Sequence, residues 1–314
     1  MRTKTAQPLL FVIVGPTASG KSAVAAEVAE RRSGEVISAD AFAVYRGLDI
    51  GTAKPSRDLR ARVPHHLVDV AEPTETFSAG RWASEAREIA QEIAARGKLP
   101  IVAGGSGFYV SALLGGLPPG QARDDGLRAA LAVWGRGRER EAHRFLAVND
   151  AAAAARIDPK NLRYTLRALE ILLVTGRRAS DRVPDPDPWA GRFRVALLGL
   201  APDRDDLYAR IAGRVRRMLD EGWGDEVRRL LNRGVTLESH AFQAIGYREV
   251  AEWVLGRAGR TETEEKIVIA TRQFARRQGT WFARERKVRW LSPGEAVAAA
   301  LREPDGAAET ERFE

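Results

Sequence analysis

The stretch that most constrains this chain is Leu10–Ser22. Leu10-Phe11-Val12-Ile13-Val14 is a short, continuous apolar run rich in β-branched residues, the composition of a strand buried in the centre of a sheet. Gly15-Pro16-Thr17-Ala18-Ser19-Gly20-Lys21-Ser22 follows at once and meets every fixed position of G-x-x-x-x-G-K-[ST]. Val24, Val28 and the alanines between them continue with helical character. Strand, glycine-rich loop and helix in this order is the context in which that pattern is a phosphate-binding P-loop. Gly15 and Gly20 allow backbone conformations that a side chain would block. Successive N–H groups then point inward at a helix N-terminus and form an anion nest. Lys21 adds a mobile positive charge, and the Ser22 hydroxyl can ligate a Mg²⁺ that bridges phosphate oxygens. A di- or triphosphate is expected there, and the motif does not say which molecule carries it.

The chain beyond the loop reads as alternating strands and helices. A helix is predicted from Ser22 to about Arg32, and Glu35–Ala39 reads as a second strand that stops at Asp40. In open α/β sheets the C-terminal strand edge faces the ligand crevice, so Asp40 is aimed beside the P-loop phosphates. An aspartate there can equally cap the next turn, and the two roles can coexist. The glycine- and charge-rich segment Val44–Pro55 has no sustained period and is expected to be a surface loop. His65 and His66 point in different directions on a strand or a helix, with no third ligand at a useful spacing, so zinc is not expected. A short strand ending near Asp69 is expected instead. Ser78–Arg96 reads as a long amphipathic helix closed by Gly97, and Leu99–Ala103 as a third strand running into Gly104-Gly105-Ser106-Gly107. That strand ends without a Walker B carboxylate.

The composition shifts at Leu117-Pro118-Pro119-Gly120. From Asp124 to Gly176 the chain reads as wholly helical, with Arg163 and Arg167 one turn apart on one face. Arg178–Gly191, with its Pro184-Asp185-Pro186-Asp187-Pro188 run, reads as a linker, and Phe193–Leu200 as a strand again. The expected fold is therefore α/β: a P-loop NTPase-like parallel sheet flanked by helices, interrupted by an all-helical insertion. The core comprises residues 1–117 and 192–314, its C-terminal part largely helical, and the insertion spans 118–191. Asp203 starts a helix through Leu219 that carries Arg210 and Arg214 at i, i+4, a pair that repels unless solvated or bridged by an anion. Ile267–Phe282 is predicted as a helix bearing Arg272, Arg276, Arg277 and Trp281. With Arg284–Trp290 it interleaves basic and aromatic residues in a way suited to a polynucleotide. After Pro293 an Ala/Glu-rich tail is expected to fray.

Composition narrows the function classes. The 314 residues contain no cysteine, which excludes disulfides, zinc–thiolate sites and a cysteine nucleophile. No run of about eighteen apolar residues exists, and the apolar run after the short polar Met1–Pro8 is too brief for a signal peptide. No membrane contact is expected, and a cytoplasmic location is the default. Fifty basic residues stand against 42 acidic, a net charge of +8 that suits a polyanionic partner or an arginine-rich solvated surface.

Several of these segments, in this order, resemble the tRNA dimethylallyltransferases, over about residues 9–291. The resemblance is carried by GPTASGKS at 15–22, D-x-x-x-VYRGLDIGTAKP from Asp40, PHHLVD at 64–69, the GGSGFY turn, AARIDPKNLRYTLRALE at 154–170, QAIGYRE at 243–249 and TRQFARRQGTWF at 271–282. It implies transfer of the five-carbon group of dimethylallyl diphosphate to the exocyclic N6 amine of the adenosine next to the tRNA anticodon. Diphosphate leaves with the help of Mg²⁺ on Ser22. The loop thus holds a leaving group, not a nucleotide.

Motif matching carries over Thr17 and Arg214 as diphosphate contacts. It carries over Asp40, Ala41, Phe42 and Ala43, then Arg163, Tyr164, Thr165, Leu166 and Arg167, and Gln243, Ala244, Ile245, Gly246, Tyr247 and Arg248 as tRNA-contact segments. Ser106 and Arg128 match single tRNA-contact positions. Departures fall at Ala41, where serine is usual, at Ser106, where threonine is usual, and at Asp158, where histidine is usual. An adenine amine is a poor nucleophile that needs a base, a role Asp40 can take. Lys21, the loop amides and Arg214 can neutralise the departing diphosphate. The adenosine must leave its stack, so base extrusion of the anticodon stem-loop is expected, by a protein acting as a monomer. A small-molecule P-loop kinase would leave the basic insertion unexplained, and an adenylate isopentenyltransferase needs no large RNA-facing surface. A guanine-nucleotide switch would need an N/T-K-x-D element that the chain lacks.

Overall fold

A computed structural model describes residues 7–116, 124–181, 189, 192–285 and 287–304. The chain divides into two compact units, Met1–Leu114 with Trp189–Glu314, and Gly115–Pro188. The Leu117–Gly120 breakpoint, the Pro184–Pro188 run, most of Met1–Pro8 and the last ten residues lie outside the described residues.

The first unit begins β1 (Leu9–Val14), α1 (Lys21–Arg31), β2 (Gly34–Ser38), α2 (Arg57–Arg62), β3 (His65–His66), α3 (Ala79–Ala95), β4 (Leu99–Gly104) and α4 (Gly107–Gly115). The second unit holds α5 (Asp125–Gly135), α6 (Glu139–Asn149), α7 (Ala151–Arg156) and α8 (Leu162–Thr175). The first then resumes with β5 (Arg194–Leu200), α9 (Arg204–Asp220), α10 (Trp223–Asn232), α11 (Tyr247–Val254), α12 (Arg260–Phe282), β6 (Arg289–Leu291) and α13 (Pro293–Arg302).

The six strands form one parallel sheet in the order β3-β2-β4-β1-β5-β6. Every residue of β1 is buried, as a strand covered on both faces by helices requires. Its register opposite β4 (Val14 beside Gly104) and β5 (Val14 beside Gly199) aligns the C-terminal ends of three neighbouring strands. The sheet core packs Phe11, Ile13, Val28, Ile101 and Leu200 with Ala296, Val297 and Ala300 of α13. In the second unit Leu146, Ala153, Ala154, Ala168 and Leu169 form a separate small core.

Two expectations are corrected here, and a third segment gains an element. The segment after Pro293 does not fray: Ser292 and Glu295 form a reciprocal capping box, and α13 buries its alanines against the sheet. Burial on a neighbouring element supplies the stability that an isolated alanine-rich helix lacks. Within Arg284–Trp290, Arg289 and Trp290 enter edge strand β6, where Trp290 lies against Gly199; a Cβ there would come within 2.6 Å of the indole. The Val44–Pro55 segment is not a free surface loop, since Val44, Tyr45 and Leu48 are fully buried. The Lys54 side chain, 2% exposed, reaches the Tyr45 carbonyl at 2.6 Å, Asp49 at 2.8 Å and Asp69 at 2.5 Å. A polar segment buries itself here because every N–H of its ammonium has an acceptor.

Candidate active site

The site is assembled at the C-terminal strand edge of the sheet. Gly15 leaves β1 with φ +147°, and a Cβ there would lie 2.8 Å from the Leu200 carbonyl of β5, so glycine is required for the close approach. Gly20 takes φ +96° and caps α1, whose first-turn N–H groups face the loop. Lys21 folds back to donate to the Pro16 carbonyl at 2.6 Å, and the Ser19 N–H closes on the same oxygen at 3.3 Å. The loop is thus preorganised by its own backbone. Thr17 is half-buried and Ser22 is exposed at the start of α1.

Two residues distant in sequence join Lys21. Burial and the neighbouring Arg214 guanidinium push the Lys21 ammonium from the usual lysine range to about 7, while Asp40 pulls it back up. Arg214 is itself lowered by burial, with Asp40 again opposing and Arg217 adding to the fall. Lys21, Asp40 and Arg214 are therefore near enough to act on one another. Two crowded cations beside a helix N-terminus make a strong attraction for a polyanion. The i, i+4 arginine pair of α9 divides: Arg214 turns into this cluster, and the exposed Arg210 lies 3.9 Å from Asp206.

Asp40 caps the turn that follows β2. Its Oδ1 accepts the Phe42 N–H at 2.8 Å and the Ala43 N–H at 3.2 Å, which fixes the turn after β2 and leaves Oδ2 for other work. Phe42 stacks on His240 at 5.7 Å, and Ala43 is buried. Ala41 is half-buried. The Ser106 N–H donates to the Ala39 carbonyl at 3.2 Å, bringing the GGSG turn beside Asp40.

Along 243–248, Gln243 and Arg248 are exposed and Ile245 is half-buried, whereas Ala244, Gly246 and Tyr247 are buried. The Tyr247 hydroxyl donates to Glu226 at 2.7 Å, and its ring meets Trp223 edge-on at 5.5 Å. The side chains left open to a ligand in this run are therefore Gln243 and Arg248.

In the second unit, Arg163 and Tyr164 are exposed, while Thr165 is buried and donates to the Asn161 carbonyl at 3.1 Å. Leu166 is half-buried. Arg128 and Arg167 converge on the buried Glu170 at 2.9 and 2.7 Å, and they hold its carboxyl below the usual range against the opposing effect of burial. The pairing orients both guanidinium groups and cancels part of their charge. Asp158 accepts the Lys160 N–H at 2.8 Å.

Sequence reasoning missed two polar residues on apolar helix stripes. Gln278 lies with Ala275 and Phe282 on the buried side of α12 and reaches the P-loop. Glu226 lies with Trp223, Val227 and Leu230 on the buried side of α10 and takes the backbone N–H groups of residues 49–51. The readable signal was a polar side chain at a core position, which must have a buried partner. Elsewhere on α12, Arg276, Arg277 and Trp281 are exposed, the Trp281 indole lying against Gly107, while Arg272 lies over the Tyr208 ring at 5.0 Å.

The histidine pair is tied into structure. His66 Nε2 lies 2.7 Å from Glu35, and His65 Nδ1 lies 2.7 Å from the Val63 carbonyl. Among the described residues no group of three or more His, Cys, Asp or Glu side chains could hold a metal ion.

The sequence and fold have known counterparts. The IPP transferase family model matches residues 43–285, and an isopentenyl transferase model matches residues 8–63. A tRNA dimethylallyltransferase of Geobacter sulfurreducens is 44% identical over 283 residues, covering 90% of this chain and 91% of that protein. One from Thermomicrobium roseum is 43% identical over 94% of this chain and 92% of its own length. The crystal structure of a tRNA isopentenylpyrophosphate transferase from Bacillus halodurans superimposes with TM-score 0.69 at 36% identity, covering 94% of this chain and 95% of that one. A eukaryotic dimethylallyltransferase described as acting on tRNA gives TM-score 0.78 at 25% identity, covering 91% of this chain and 74% of its own. The P-loop, the strand order that carries it and similarity along almost the whole length agree, and the chain belongs to the IPP transferase family.

Proposed function

We propose that this protein transfers the dimethylallyl group of dimethylallyl diphosphate to the exocyclic N6 amine of the adenosine next to the anticodon of tRNA, releasing diphosphate. The observation that carries the reading is the P-loop at the C-terminal strand edge with Asp40 held at the end of the neighbouring β2, where the charges of Lys21, Arg214 and Asp40 act on one another. The loop amides, Lys21 and Arg214 bind the diphosphate and stabilise the charge that grows on it as the allylic C–O bond breaks. Asp40 accepts the amine proton as the new C–N bond forms, through the carboxylate oxygen not engaged by Phe42 and Ala43. The Ser22 hydroxyl, exposed at the start of α1, would hold a Mg²⁺, which would supply Lewis-acid stabilisation of the leaving group. The exposed Arg163 and Tyr164, the oriented Arg128 and Arg167, and the exposed Gln243 and Arg248 are assigned to the anticodon stem-loop. Among the described residues no helix is long and apolar enough to cross a membrane. We assign the reaction to the cytoplasm and to a monomer.

The test is incubation with isotopically labelled dimethylallyl diphosphate and either tRNA or AMP, followed by digestion to nucleosides. Label on the N6 of one adenosine of tRNA is the expected result, with a rate that falls steeply with salt as phosphate contacts are screened. AMP labelled as efficiently as tRNA, at salt-insensitive rates, would overturn it. Donor affinity of Lys21→Ala is measured alongside, and unchanged affinity would remove the donor from the loop.

A further inference from the structure

Gln278 is 6% exposed, yet it lies on the same helix as Arg276 and Arg277, which face solvent. Its Oε1 accepts the Thr17 N–H of the P-loop at 2.8 Å, and its Nε2 donates to the Gly105 carbonyl at 2.9 Å. The fit is close: a Cβ at Gly105 would stand 2.1 Å from that nitrogen. One residue further, the Ser106 N–H donates to the Ala39 carbonyl, immediately before Asp40. A Cβ at Gly104 would likewise stand 2.1 Å from the Ala39 carbonyl oxygen. A short, partly buried path therefore runs from the loop through the buried glutamine amide to the turn and to the strand end that carries Asp40.

We propose that Gln278 is a positioning residue for group transfer, one that sets the separation between the phosphate loop and Asp40. It touches no reacting atom. An N–H on one side requires an acceptor and a C=O on the other requires a donor, and an amide of this length meets both at once. An ionised glutamate presents a lone pair to the Gly105 carbonyl, and a methionine satisfies neither group. The inference rests on the donor lying in the P-loop and Asp40 acting as the base.

The test compares Gln278→Met, Gln278→Glu and the parent enzyme in single- and multiple-turnover prenylation of tRNA. Misplacement of reacting groups by about 1 Å costs on the order of 100-fold. Gln278→Met is therefore expected to lower kcat about 10- to 100-fold, with KM for donor and for tRNA each within about 3-fold. Gln278→Glu should recover relative to the parent as pH falls, because a protonated carboxyl again donates to Gly105 while accepting from Thr17; Gln278→Met should show no such recovery. Parental kcat in Gln278→Met overturns the proposal, as does a flat pH ratio for Gln278→Glu. Loss of kcat in step with donor affinity and melting temperature in both variants also overturns it, since the amide would then merely hold the fold. Lys21→Ala separates the two levels. Unchanged donor affinity there defeats the P-loop reading itself, whereas lost affinity there with parental kcat in Gln278→Met defeats this inference alone.

Discussion

Glu226→Gln is expected to loosen the segment that follows the Asp40 turn, by an amount that can be worked from the contacts. Oε2 of Glu226 accepts the N–H groups of Asp49 at 2.8 Å and Ile50 at 2.7 Å. Oε1 accepts the Gly51 N–H at 3.3 Å and the Tyr247 hydroxyl at 2.7 Å. The carboxylate is 2% exposed, so water is in no position to replace it. In the amide variant the oxygen keeps Asp49 and Ile50, but each bond changes from charge-assisted to neutral and weakens by about 1 kcal/mol. The new NH₂ faces the Gly51 N–H, which keeps only the neighbouring Tyr247 oxygen as a partner, at about 1 kcal/mol. The Tyr247 hydroxyl can rotate to accept, and the buried charge disappears, which offsets part of the loss. The net destabilisation is about 1–3 kcal/mol. Urea unfolding should show a lower midpoint, and amide exchange at residues 49–51 should accelerate more than at β1. Tyr247→Phe should cost about 1–2 kcal/mol, and the double variant less than the sum, because both act on one carboxylate. A midpoint shift worth under about 0.5 kcal/mol with parental exchange would refute the reasoning, since two charge-assisted bonds to a buried carboxylate cannot be that cheap to weaken.

Asp40→Asn should retain diphosphate binding and lose about 10²- to 10⁴-fold in single-turnover transfer, as expected for a missing general base; near-parental rates would remove Asp40 from the mechanism. Lys21, held at about 7 by burial and Arg214, should take up a proton when a diphosphate settles beside it. Donor affinity is then greatest below pH 7 and falls as pH rises above it, by up to about tenfold per pH unit, readable by calorimetry in buffers of different ionisation enthalpy. Ala300→Asp places a carboxyl in the packed seam between α13 and the sheet, and should cost about 3 kcal/mol or more in thermal or urea unfolding. Glu35 is held at about 2 by Lys98, His66 and Arg96 against the opposing pull of burial. Its contribution is present above about pH 4.5 and lost as pH falls through about 2, so Glu35→Gln should flatten the acid limb of the stability profile.

The strand–loop–helix of residues 9–31 was legible in the chain because its determinants are local. An unbroken apolar run specifies a strand covered on both faces, two glycines permit the backbone turns, and the lysine and hydroxyl follow at fixed spacing. Ser78 capping α3 and the helices from Asp125 to Thr175 were legible for the same reason, since caps and periodicity act within one or two turns. Asp40 could be placed at the crevice because strand ends in such sheets share one edge.

Contacts between distant segments were not legible. Arg210 and Arg214 are equivalent in the sequence, and only the packing of α9 sends one to Lys21 and leaves the other beside Asp206 in solvent. Gln278 sits among arginines in a segment that reads as wholly RNA-facing, yet helix rotation buries it 261 residues from its Thr17 partner. Arg289–Leu291 has too few residues to declare a strand, and becomes one because β5 offers an open edge. Lys54 and Glu226 look like surface charges. They are buried because the fold supplies three acceptors to one, and three backbone N–H groups and a hydroxyl to the other; the lysine's acceptors lie within fifteen residues of it but converge only when the loop folds, and the glutamate's N–H partners come from a segment some 175 residues away.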